Sequence, residues 1–150
     1  MLKRVPVESS SAFSEGVIVT RVGERRVFDQ ESRQFGAQEV DRDSGLPVWV
    51  VDGYDVAAMK APPIETKSGR TFRESAEARV YVISREEPVI PDSEVNGFRG
   101  VVQFDGLMVT PWMDDKGCQG LQHDENGNKR RCGCQVKMSF RAHGMRPFRA

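Results

Sequence analysis

Four side chains with metal-ligand chemistry fall within one short stretch of this 150-residue chain: Cys118, His123, Cys132 and Cys134, spaced C-x4-H-x8-C-x-C. Thiolate and imidazole are the ligands zinc prefers, and four of them close a tetrahedral structural site. The neighbouring Lys129, Arg130 and Arg131 would lower the thiol pKa values and favour thiolates. C-x-C is a less usual spacing than C-x2-C, so a second reading stands beside the first: ordinary cysteines, or a redox-sensitive pair, with no cofactor at all. The cysteines number 3 and lie close together, which is not the framework of a secreted disulfide protein.

The second chemical signal is charge. The chain has 22 Lys/Arg and 22 Asp/Glu, but the last 22 residues hold 7 of the basic ones and none of the acidic ones, so the first 128 carry −7. A chain polarised in this way repels anions over most of its surface and attracts them at one place. Within the basic end, Cys134-Gln135-Val136-Lys137-Met138-Ser139-Phe140-Arg141-Ala142 alternates apolar and polar residues without a break. This is the period-2 pattern of a half-buried strand. It predicts Val136, Met138, Phe140 and Ala142 in a core, and Gln135, Lys137, Ser139 and Arg141 in one outward row. With Lys129, Arg130 and Arg131 before it and Arg146 after it, the row suits a phosphate backbone. A solvated, incidentally basic sheet face is the competing reading. Trp49, Tyr81, Phe98 and Trp112 are candidates to stack bases, although most aromatics of such a domain belong to the core. Tyr81 is preferred because Val80 and Val82 can fill the inner face of its strand, and Trp112 follows.

The elements that must hold these residues are mostly strands. Runs at 16–22, 47–54, 78–84, 100–104, 107–112 and 134–142 are rich in Val, Ile, Phe, Tyr and Trp and bounded by turn residues. Asp105-Gly106 reads as a hairpin between two of them, and Asp43-Ser44-Gly45 as a turn leading into Pro47-Val48-Trp49. Helix is scarce: 71–78 is the best candidate, and 55–59 a single turn. Residues 86–92 read as an extended linker, and 24–46 as a polar hairpin or loop. The expected fold is all-β, a small OB-like barrel of five to six strands forming one domain over 1–150, with the polar loop 24–46 and a long insertion 113–133.

Phe104-Asp105-Gly106-Leu107-Met108-Val109-Thr110-Pro111-Trp112, followed by Ser139-Phe140-Arg141-Ala142-His143-Gly144-Met145-Arg146-Pro147, resembles a family of small actinobacterial regulatory proteins of plasmids and integrative elements. Its hallmarks are F-x-G-L-x-V-x-P and then S-F-R-A-x-G. The segment from Asp41 to Val51 is similar to the family's D-x-x-T-G-x-P approach to an early strand. The resemblance implies an organisation similar to the OB-like single-stranded-DNA-binding proteins of filamentous phages. It carries over no catalytic residues. The chain departs from the family where 113–133 replaces a short turn, and in a longer 55–77.

The functional expectation is a nucleic-acid-binding accessory or regulatory protein of a mobile element, most directly for single-stranded DNA. The alternative is a protein–protein adaptor of the element's replication or transfer machinery. Expected partners are single-stranded nucleic acid, those proteins, or a second copy of the chain. No run of 18 apolar residues marks a membrane span, and Met1 to Ser11 lacks a signal peptide's apolar core, so the expected location is the cytoplasm. No Walker loop, dinucleotide fingerprint, G-x-S-x-G or H-E-x-x-H points to an enzyme.

If the cysteine loop is a zinc clip, protein purified with zinc present carries about one metal ion per chain, and Cys132→Ser with Cys134→Ser abolishes it without unfolding the domain. Elemental analysis decides this. Three titratable thiols with no metal in native protein would establish the ordinary-cysteine reading.

Overall fold

A computed structural model describes residues 3–114 and 135–149 of the chain. The element order is β1 (Val5–Pro6), α1 (Ser9–Ala12), β2 (Val17–Glu24), β3 (Arg26–Asp29), β4 (Gln34–Gln38), β5 (Val48–Asp55), α2 (Val56–Lys60), β6 (Ile64–Glu65) and β7 (Thr71–Phe72). It continues with β8 (Glu77–Ile83), β9 (Glu94–Val95), β10 (Phe98–Arg99), β11 (Val101–Asp105), β12 (Met108–Asp114), β13 (Gln135–Ala142) and β14 (Gly144–Pro147). Among the described residues, strand makes up 53% and helix 7%, and the fold is all-β. An eight-stranded sheet, ordered β1-β12-β13-β8-β5-β2-β11-β14, curls into a half-barrel. Three two-stranded ladders, β3–β4, β6–β7 and β9–β10, lie outside it. The strands therefore outnumber the five or six expected.

Pairing explains how so many strands make one small barrel. Val102 lies opposite Pro147, Asp105 opposite Gly144, Met108 opposite Arg141 and Asp114 opposite Gln135. All four pairs fit one antiparallel register. β11–β12 and β13–β14 are thus two long strands, each bent once, and His143 N–H donates to Asp105 O at 2.8 Å between the two halves. The Asp105-Gly106 signal is real as a backbone break, since Gly106 has φ +60°. It does not make the expected hairpin, because β11 and β12 pair with neighbours on the other bent strand rather than with each other. Counting each bent strand once, β2, β5, β8, β13–β14 and β11–β12 follow one another by pairing, and β11 returns to β2. Among the described residues, the one parallel contact is β8 with β13.

The inner faces supply Val17, Val19, Val51, Val80, Val82, Val102, Phe104, Leu107 and Ala142. Phe13, just after α1, fills one end, its ring 5.9 Å from Phe104 and 5.1 Å from Phe140. Ser9 Oγ accepts the Phe104 amide hydrogen at 3.0 Å and fixes α1 there. The expected core stripe of the basic strand is only half right. Ala142 is buried and Phe140 partly so, but Val136 and Met138 are 64% and 56% exposed. β13 pairs with β8 only over Phe140–Ala142, so its first half leaves the barrel with β12 as a two-stranded arm.

The proposed helix at 71–78 is absent. Thr71–Phe72 pairs with Ile64–Glu65, and the chain then enters β8. A single helical turn is a costly nucleus, and the β-branched run that follows favours extension. The turn at 55–59 does form as α2, with Asp55 accepting from Ala57 N–H at 3.2 Å. The polar segment folds as the β3–β4 hairpin, with Phe28 and Phe35 edge to face at 5.1 Å. Among the described residues, no helix is long and apolar enough to cross a membrane.

Gly53, opposite Val19 where β2 bulges at Thr20, has no room for a side chain, since a Cβ there would run into the Ile18 carbonyl. Gly53→Ala is expected to destabilise the protein by about 1–3 kcal/mol, lowering Tm by roughly 2–4 °C per kcal/mol. Gly23→Ala, with nothing within 4 Å of the added methyl, should stay within about 0.5 kcal/mol of the parent. Thermal melts of the pair check the register.

Candidate nucleic-acid interface

Because β8 buries Val80 and Val82, its alternate residues Glu77, Arg79 and Tyr81 face outward. The register carries that face across the sheet, with Tyr54 opposite Glu77, Asp52 opposite Arg79, and Trp112 opposite Lys137. Above Val80 and Phe140, β8 and β13 pair; below, 77–79 and 137–139 are unpaired with each other, and an open groove of about 740 Å³ lies there. Thr20, Asp52, Tyr54, Arg79, Tyr81, Trp112, Lys137 and Ser139 are among its lining residues. Thr20 is brought in by the β2 bulge, and its Oγ1 donates to Asp52 O at 3.2 Å.

Trp112 and Tyr54 are both 42% exposed. The Lys137 ammonium lies 5.7 Å from the Trp112 ring centroid, within the range of a cation–π contact. Asp52 takes Arg79 in a fork, 2.7 Å to Nε and 3.4 Å to Nη2. That hydrogen bond raises the Arg79 pKa further and keeps it charged. The groove thus combines aromatic faces with two cations, while Asp52 and Glu77 make its floor partly acidic.

The residues singled out from the sequence separate into groups. Lys137 and Trp112 meet in the groove. Tyr81 faces outward as expected, but its ring is covered by the Arg25 guanidinium at 3.9 Å, with Arg141 at 5.7 Å. Arg141 does not continue an open row with Lys137. Its side chain is 17% exposed and its guanidinium stands 3.8 Å from Glu39. Burial lowers its pKa, with the Glu39 carboxylate opposing. Arg146 is elsewhere. The bend at His143 carries it onto β14, where it pairs with Asp105 at 3.0 Å beside a separate cleft lined by Phe13, Phe104 and Phe148. One straight phosphate track through Lys137, Arg141 and Arg146 is therefore not what the fold builds. Trp49 is partly buried with its indole N–H donating to Ser84 O at 2.9 Å, and Phe98 is half-buried in the β9–β10 ladder. Lys129, Arg130, Arg131 and the zinc candidates Cys118, His123, Cys132 and Cys134 lie outside the described residues. Among the described residues, no cluster of His, Cys, Asp or Glu could hold a metal ion.

Sequence reasoning missed Tyr54, Arg79, Arg25 and Glu39. Tyr54 was within reach of the period-2 argument, since Val51 and Gly53 face inward and Asp52 and Tyr54 outward. Arg25 and Glu39 were not, because they come together only through the fold of the hairpin root, where Glu39 N–H donates to Arg25 O at 2.6 Å.

No family model, no curated protein and no solved structure matches the chain.

Beside the hairpin root, buried Asp41 accepts from Ser44 N–H at 3.0 Å and Ser44 Oγ at 2.9 Å, and pairs with Arg4 at 3.3 Å. Burial alone would raise its pKa; the Ser44 and Arg4 contacts outweigh this and hold it below the ordinary 3.8. The unfolded chain then takes up the proton first, so the Asp41 contribution is complete above about pH 4 and is lost as pH falls through the depressed folded value. Asp41→Asn should be less stable than the parent at pH 7, with the gap narrowing toward pH 3. Urea midpoints at the two pH values check this, and a constant gap would contradict it.

Proposed function

We propose that this protein binds single-stranded nucleic acid, DNA in the first instance, across the groove between β8 and the β12–β13 arm. The observation that carries the reading is the placement of exposed Trp112 and Tyr54 with Lys137 and Arg79 on one outward face. Single-strand binders combine aromatic platforms for bases with cations along the backbone path, and OB barrels use the face of their second and third strands for this purpose. Here those strands are β5 and β8. Asp52 and Glu77 disfavour phosphates on the floor, so the bases face Tyr54 and Trp112 and the phosphates follow the Lys137 rim. The protein acts as a binding protein rather than an enzyme. Service to a plasmid, phage or integrative element rests on the sequence resemblance of 41–51, 104–112 and 139–147 alone.

One observation favours the adaptor as a second reading. Met113, Val136 and Met138 are exposed on the arm, and apolar surface of that kind suits a protein partner.

Replacing Trp112 with Ala should weaken binding of a single-stranded oligonucleotide by about 1–3 kcal/mol, roughly 5- to 150-fold. Lys137→Ala should lower the slope of log K against log salt by about 0.7. Fluorescence anisotropy over a salt series measures both. Parental affinity and slope in both variants would move the site out of this groove.

A further inference from the structure

At the Tyr81 end of the groove, two arginines share one carboxylate. Arg25 Nε lies 3.1 Å from Glu39 Oε2, and Arg141 Nη2 lies 3.8 Å from Glu39 Oε1. Each oxygen faces a different guanidinium. The Arg25 guanidinium lies over the Tyr81 ring, and Arg141 stands beside the same ring because β13 and β8 place Arg141 and Tyr81 opposite each other. Nearby Arg4 is engaged with Asp41 and, at 3.7 Å, with Asp43. Glu39 is thus left as the carboxylate between Arg25 and Arg141. The fit is incomplete: Oε2 is buried yet receives no hydrogen bond from the described residues, since Arg25 is close but misdirected. A buried acceptor without a hydrogen bond is a poorly satisfied group. The three side chains nevertheless keep contact with solvent, at 33% exposure for Arg25, 29% for Glu39 and 17% for Arg141.

We infer that Arg25 and Arg141, braced by Tyr81, form a phosphate subsite at the head of the groove that the Glu39 carboxylate occupies in the free chain. A phosphate presents two oxygens to two guanidiniums as a carboxylate does, with more acceptor capacity and freedom to meet both donors. Glu39 sits on the hairpin root by backbone bonds to Arg25 and Val48, so its side chain can swing out while its backbone stays. The subsite accounts for Tyr81 lining the groove without offering it a bare ring face. Its role for a bound strand rests on the function proposed above; its affinity for phosphate does not.

The test follows the Arg25 and Arg141 side-chain Nε–H resonances of the full chain by NMR, each assigned through its Arg→Lys variant. Pyrophosphate is titrated first, then a single-stranded oligonucleotide with Trp112 fluorescence read in parallel. The expected result is that pyrophosphate shifts both resonances saturably in the parent and binds at least about fivefold tighter to Glu39→Gln, because a charge of like sign to the ligand has gone. For the oligonucleotide, Glu39→Gln should steepen the salt slope by about 0.7–1.4, one or two further phosphate contacts. If pyrophosphate moves neither resonance in the parent, the subsite is refuted, and this arm holds even if Glu39→Gln fails to fold. If the oligonucleotide changes Trp112 fluorescence while Arg25 and Arg141 stay unmoved and the slope is unaltered, the subsite's role for a bound strand is refuted and the groove stands. If pyrophosphate binds there and the oligonucleotide does not bind, the subsite is upheld for free phosphate and the nucleic-acid reading falls.

Discussion

The structure depends on one register. A single antiparallel ladder runs from Val102 opposite Pro147 to Asp114 opposite Gln135, and both of its strands bend at the same level. Gly106 makes the bend in one strand with a left-handed backbone, and the His143 ring packs where a side chain on Gly106 would lie, a Cβ there coming within 2.7 Å of it. On one side of the bend the ladder meets β2 and completes the pairing circuit. On the other it meets β8 and then leaves the barrel. A slip of one residue in either strand would turn that strand's side chains to the opposite face, moving Val102 and Phe104 out of the core together with Trp112 out of the groove, or Ala142 out of the core together with Lys137 out of the groove.

The candidate site follows from that departure. Two parallel strands that pair for three residues and then part leave a groove between them, and the outward faces of β5, β8, β12 and β13 decide its chemistry. The same parting explains why Val136 and Met138 are exposed despite a perfect alternating pattern. They lie on the face that would be core if β13 stayed over the barrel. Among the described residues, the charges are arranged locally rather than as a continuous basic belt. Arg79 is tied to Asp52, Arg146 to Asp105, and Arg25 and Arg141 to Glu39.

Much of the fold was legible in the sequence because it is written in period-2 patterns and turn residues. The β-rich character, the outward Tyr81, the turn at Asp43-Ser44-Gly45 and the short helix after Asp55 all follow from local signals. What local signals do not carry is partner choice. Asp105-Gly106 marks a break in the chain equally well whether the flanking strands pair with each other or, as here, with a shared neighbour. The course of the basic residues through space is hidden for a similar reason. Lys137, Arg141 and Arg146 follow one another closely along the chain, but the bend at His143 sends Arg146 to another surface and the hairpin root brings Glu39 to Arg141. The helix at 71–78 was lost to strand pairing with 64–65, a contact that residue propensity does not encode.

The central claim is that this groove receives a single strand. Mapping amide and indole chemical shifts of the full chain during titration with an unlabelled single-stranded oligonucleotide tests it most directly. The account predicts saturable shifts at the Trp112 indole and at the amides of Thr20, Tyr54, Arg79 and Lys137, with the cleft around Phe13 and Phe148 unmoved. Shifts centred on that cleft, or no shifts at low salt, would contradict it.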